Sequence, residues 1–128
     1  MSAFASVTLK NGSDADKIFS PISIDSRTGV ALWGTADAVY DQKWLLSMSS
    51  SVPTAKTSKG RAKLKLSIPY LVTENGVVVK KDEAIATVDI AIPKNMDSTF
   101  RAHLAKALDA AVSNAILTSY ITNFEGIY

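Results

Sequence analysis

No cysteine occurs among the 128 residues. That excludes disulfides, thiolate nucleophiles and cysteine-based zinc sites together, and it fits a reducing compartment. Histidine is almost as scarce. His103 is the only one, and no acid stands near it at metal-ligand spacing, so a surface or interface histidine is a better reading than a catalytic base. No apolar run approaches the roughly 18 residues that span a bilayer. Met1 to Val7 has no basic leader ahead of a continuous apolar segment, so a cytoplasmic chain with no membrane partner is expected. Proline and glycine are few (4 and 6) against 47% hydrophobic residues, which argues for a folded unit over a disordered one. Charge of one sign is also lacking. The formal balance is only +2, so any affinity for nucleic acid must come from where the cations sit.

A catalytic constellation is missing too. Gly29 and Gly34 have the glycine spacing of a phosphate-binding loop, but Thr35-Ala36 follows where lysine and a hydroxyl residue are required. The acidic pairs Asp14/Asp16 and Asp82/Glu83 read as turn or loop charges, since nothing around them outlines a pocket for acid–base chemistry. The chain is therefore expected not to be an enzyme and to need no cofactor, metal or small-molecule substrate.

What is present is alternation. Phe4, Val7 and Leu9 lead to Asn11-Gly12, a hairpin signal because both residues tolerate positive φ. Ile18, Ile22 and Ile24 form the return strand, with Pro21 confining it to an edge or a bulge. Gly29 to Trp33 reads as a short buried strand. From Val39 to Ser49, Trp44, Leu46 and Met48 point one way and Lys43, Leu45, Ser47 and Ser49 the other. Ser50 to Ser58 is a loop. In 59–68 the apolar Ala62, Leu64, Leu66 and Ile68 alternate with Lys59, Arg61, Lys63 and Lys65, and Pro69 closes the strand. A second hairpin turns at Asn75-Gly76, and a last strand runs from about Ala84 to Ile92, ended by Pro93.

Beyond Pro93 the period changes from 2 to 3.6. Asp97 or Ser98 caps a helix whose apolar stripe holds Phe100, Leu104, Leu108 and Val112. Ser113-Asn114 can break it before a second stretch with Ile116, Tyr120 and Ile121. Strands first and helices last make an α+β chain, with residues 1–128 as one domain. One sheet and a terminal helix pair leave Trp33, Trp44 and Tyr120 short of cover, so a homodimer is expected on physical grounds.

The four cations of 59–65 are the most informative feature. Period 2 places them on one sheet face, where they would bind phosphates without regard to sequence. A solvated strand face guarded by lysines explains the same spacing. From spacing alone the two readings stand level. Asp89 lies on that same side of the last strand and is expected to pair with Lys63 or Lys65.

In order and spacing these segments resemble the coat proteins of single-stranded RNA bacteriophages, the levivirus type. The resemblance runs through Lys10-Asn11-Gly12, Gly29-Val30-Ala31-Leu32-Trp33 and the basic strand Gly60 to Pro69. It continues through Asn75-Gly76-Val77, Val88 to Pro93, the alanine-rich helix and the terminal Gly126-Ile127-Tyr128. It implies an N-terminal hairpin, a five-stranded antiparallel sheet and two C-terminal helices, in an intertwined dimer with one continuous sheet. It also implies a structural role in the virion. Dimers would build an icosahedral shell in the bacterial host cytoplasm, with the inner sheet face on genomic RNA and on a hairpin through which the replicase message is repressed.

Carried over position by position, the resemblance assigns RNA contact to Val30, Lys43, Ser47 and Lys65, with Thr87 as a polar substitute for an amide; Lys59, Arg61 and Lys63 join them through the stripe. It assigns the dimer interface to Phe100, Leu104, Leu108, Val112, Ile116 and Tyr120, and contacts between dimers to the loop Glu74, Asn75, Gly76 and Val77. Lys63 and Leu45 stand where the family usually has hydroxyl residues, and Ile85 where a stacking tyrosine is known. The electrostatic part of RNA binding survives these departures, while groups that read the family's hairpin are lost. A dimeric RNA-binding module that builds no shell is the alternative.

Overall fold

The computed structural model describes residues 4–25, 27, 29–37, 39–54 and 58–126. Ile127-Tyr128 and residues 55–57 of the expected Ser50–Ser58 loop therefore lie outside the described residues, and Ser50 and Ser51 belong to a strand instead. Two compact units are present, residues 1–91 and 92–128.

The first unit is built on an antiparallel sheet with strands in sequence order: β1 (Val7–Lys10), β2 (Asp16–Ile24), β3 (Ala31–Gly34), β4 (Leu45–Ser51), β5 (Lys59–Glu74) and β6 (Val77–Pro93). Strand β2 serves twice. Its first half pairs with β1, from Val7 opposite Phe19 to Lys10 opposite Asp16, and its second half pairs with β3. The register shifts between Pro21 and Ser23, so the bulge expected from proline is present. The hairpin and the larger sheet thus share a strand.

Three strand limits depart from expectation, each for a local reason. Residues 40–42 form a single 3₁₀ turn, so β4 begins at Leu45 instead of Val39. Pro69 does not end its strand, and β5 runs 16 residues to Glu74. The described β4–β5 pairs stop at Leu45 opposite Ser67, so Pro69 lies past the β4 ladder, where a missing N–H costs least. Likewise 77–93 is one strand, which moves Asp82 and Glu83 out of a loop and into β6. Asn75 and Gly76 both have positive φ (52° and 78°), the type I′ geometry their sequence predicts. At the first hairpin the positive φ falls on Asp14 instead. There the Asn11 carboxamide accepts from the Ser13 and Ala15 amides at 2.9 and 3.0 Å, and this Asx arrangement sets the turn.

The core lies on one face of the sheet. Phe19, Trp33 and Leu46 are buried, and the registers set Trp33 beside Leu46 and Leu46 beside Leu66, with Ala31, Met48 and Leu64 in the next row. The N-terminal segment lies over this face. Phe4 meets the Trp33 ring edge-on at 5.1 Å, and the Trp33 indole N–H donates to the Ala5 carbonyl at 2.8 Å. Trp44 is half-buried, with the Lys17 ammonium 4.8 Å above its ring.

The second unit carries α1 (Ser98–Val112) and α2 (Ala115–Asn123). Asp97 caps α1 by accepting from the Phe100 amide, and Asn114 caps α2 by accepting from the Ile116 amide, so the expected break is an N-cap. Phe124 closes α2 at φ +55°, a left-handed position usually given to glycine. Neither helix has a buried residue, and neither is long and apolar enough to cross a membrane.

Candidate nucleic-acid interface

Antiparallel pairing of β4 with β5 sets a hydroxyl beside a cation three times over. Ser47 faces Lys65, Ser49 faces Lys63, and Ser51 faces Arg61. Directly paired residues share a sheet face, and these rows alternate with the apolar rows Leu46–Leu66 and Met48–Leu64. Arg61, Lys63 and Lys65 are exposed, as is Lys59 at the start of β5. Leu32 extends the Ser47 row on β3. On β6, Thr87 is exposed and two residues from Asp89, which lines the same depression as Arg61 and Lys63. Val30 is half-buried just ahead of β3. One face thus carries the cations and hydroxyls, and the other carries the core.

Lys43 stands apart. Its Nζ donates to the Thr35 carbonyl at 2.7 Å, so the ammonium is held within the β3–β4 connection. Thr35 is the centre of that connection and is itself buried. Its hydroxyl donates to Asp37 at 2.6 Å and accepts from the Trp44 amide at 3.1 Å. Sequence reasoning missed this knot, although Thr35-Ala36-Asp37 is the kind of hydroxyl–carboxylate spacing that favours local side-chain bonding.

The acids also sort differently from expectation. Among the described residues Asp89 forms no ion pair, with Lys63, Lys65 or any other cation. Lys65 acts on Glu83, whose carboxylate accepts from the buried Ser67 hydroxyl at 2.9 Å and from Lys80 at 3.3 Å. The Ser67 hydrogen bond, then Lys80 and the more distant Lys65 charge, hold the Glu83 carboxyl below its usual range. Leu45 sits half-buried opposite Ser67, and Ile85 is exposed on β6.

The Glu74–Val77 turn is exposed, and an ion pair from Glu74 to Lys81 ties its base. On the helices Leu104 and Leu108 are half-buried, while Phe100 (58%), Val112, Ile116 and Tyr120 are exposed. His103 meets the Phe100 ring edge-on at 5.9 Å. No group of three or more His, Cys, Asp or Glu that could hold a metal occurs among the described residues.

The family model described as "Levivirus coat protein" matches residues 2–128. The chain belongs to the levivirus coat protein family. This is a family of viral capsid proteins and not of enzymes. No curated protein matches the sequence. Among solved structures, the virus-like particle of Beihai levi-like virus 21 superposes with a TM-score of 0.89 at 22% identity, covering 99% of each chain. The capsid protein of bacteriophage GA gives 0.77 at 25% identity, over 96% of each. An unassembled bacteriophage coat protein dimer, described as RNA-binding, gives 0.65 at 23% identity over 98% of each. The hairpin, sheet and paired C-terminal helices of this chain are thus the levivirus coat protein fold.

Proposed function

We propose that this chain is the shell subunit of a single-stranded RNA phage and binds the genome through the cationic face of its sheet. The observation that carries RNA binding is the register of β4 on β5, which sets Ser47, Ser49 and Ser51 beside Lys65, Lys63 and Arg61. Lysine and arginine supply phosphate affinity through counterion release, and the serines are within the same rows to meet sugar or base. A solvated edge needs the lysines but not the hydroxyl partners in register.

Dimerisation rests on burial. Six large side chains of residues 100–124, Phe100, Val112, Ile116, Tyr120, Ile121 and Phe124, are exposed, an apolar load of the kind that marks a partner surface. The occupant is a second copy, as in the coat protein dimer of similar fold. Dimers then assemble into an icosahedral particle in the host cytoplasm, with the Glu74–Val77 turns meeting between dimers. Repression of a message through an RNA hairpin belongs to the same face, though Leu45 and Ile85 alter what it can read.

Size separates the shell from a dimeric module. Purified full-length chain should give large uniform particles with nucleic-acid absorbance in light scattering and sedimentation. A species that stays dimeric at every concentration, with or without RNA, contradicts the shell.

A further inference from the structure

The cationic face is not uniformly cationic. At one end, Ser49, Ser50, Ser51, Arg61, Lys63 and Asp89 line, together with three apolar side chains, an open depression of about 580 Å³. That volume falls within the ~300–1,000 Å³ of clefts that take small ligands or groups. Asp89 is the odd member. Among the described residues no cation is ion-paired to its carboxylate, yet it shares the depression with two cations and three hydroxyls.

The mixture narrows the occupant. A bare phosphate would meet Arg61 and Lys63 favourably but be repelled by Asp89. A divalent cation would find one carboxylate and two like charges. What fits both signs is an uncharged group with hydrogen-bond donors, attached to an anionic chain. A nucleobase on its phosphodiester backbone is such a group. Single-stranded RNA is read through the Watson–Crick edges of unstacked bases, and a carboxylate can only accept there. Cytosine and adenine each offer one amino group beside a ring acceptor that would face the second carboxylate oxygen. Uracil offers one imide N–H between two carbonyls. Guanine alone offers two adjacent donors, N1–H and the N2 amino group, matched to the two oxygens of one carboxylate.

Resting on the RNA-binding reading above, we infer that this depression is a guanine pocket. Asp89 accepts from N1–H and N2–H, the Ser49 or Ser51 hydroxyl donates to O6, and Arg61 and Lys63 hold the flanking phosphates. The proposal concerns base selection at this one end of the face and is distinct from the non-specific affinity of the stripe.

The test uses the full-length chain and short single-stranded oligoribonucleotides of one length. The central residue is guanosine, inosine (which lacks the N2 amino group) or adenosine, and binding is measured at several salt concentrations. Guanosine should bind roughly 5- to 100-fold more tightly than adenosine, the range of a bidentate base contact, with inosine between them. Asp89→Asn should abolish the preference and leave the salt slope unchanged, since Arg61 and Lys63 still neutralise the same phosphates. Asp89 is exposed, and circular dichroism checks that the variant folds. Equal affinity of wild type for all three strands overturns the pocket while leaving RNA binding intact. A variant that binds every strand more tightly by one common factor also overturns it, because Asp89 would then be only a repulsive charge. Failure to bind any strand overturns the RNA reading itself.

Discussion

The two faces of the β4–β5 pair are made from one alternating stretch of chain, yet they are held to different standards. Leu46, Leu64 and Leu66 belong to a packed cluster with Phe19 and Trp33, where each missing methylene is felt. Arg61, Lys63 and Lys65 keep their side chains in solvent. A substitution on the first face should therefore cost stability and leave function to follow. On the second it should cost function at constant stability. That asymmetry separates a binding surface from a merely tolerated one.

The largest effect should come from Leu46→Ala. The side chain is 2% exposed, and such truncations cost about 2–5 kcal/mol, measurable by denaturant unfolding. Trp44→Ala should cost less than Leu46→Ala despite removing more atoms, because Trp44 is half-buried. The reverse order would mean that the centre of the core lies nearer β2 than the Trp33–Leu46 row. Asp97→Ala removes the cap of α1 and should cost about 1 kcal/mol, seen as a loss of helical circular dichroism on heating.

A smaller and more specific effect concerns Glu83. Its folded-state carboxyl titrates below its unfolded value, so its contribution is present above the unfolded value and lost as pH falls through the folded one. Ser67→Ala removes the largest cause of that shift. The variant should melt lower than wild type near neutral pH and lose less on acidification, so that the two converge at low pH. A constant difference at every pH would show that the Ser67 hydroxyl does not set the carboxyl and that Lys80 and Lys65 do.

How much of this was legible depended on whether a residue's role is set by its neighbours in sequence or across the sheet. The face of Lys59, Arg61, Lys63 and Lys65 follows from period 2 alone, and Asn75-Gly76 and Asp97 act through local backbone geometry, so all were readable. Pro69 was not, because its tolerance depends on β4 having ended at Leu45. Glu83 was misplaced for a related reason. Only a strand continuing through 82–83 brings its carboxylate to Ser67, 16 residues away. The row pairing of serines with cations needs the β4–β5 register, which no single strand reveals. Lys43 looked like its stripe neighbours, and only the fold of 35–44 shows that its ammonium is already engaged by Thr35.

The most direct test of the cationic face is the salt dependence of RNA binding by Lys63→Ala/Lys65→Ala. Stability should stay within about 0.5 kcal/mol of wild type, as at exposed sites. The slope of log affinity against log salt should flatten by about 0.7 for each phosphate that the missing ammonium groups no longer neutralise. An unchanged slope with an intact fold would assign these lysines to solvent and contradict RNA binding by this face.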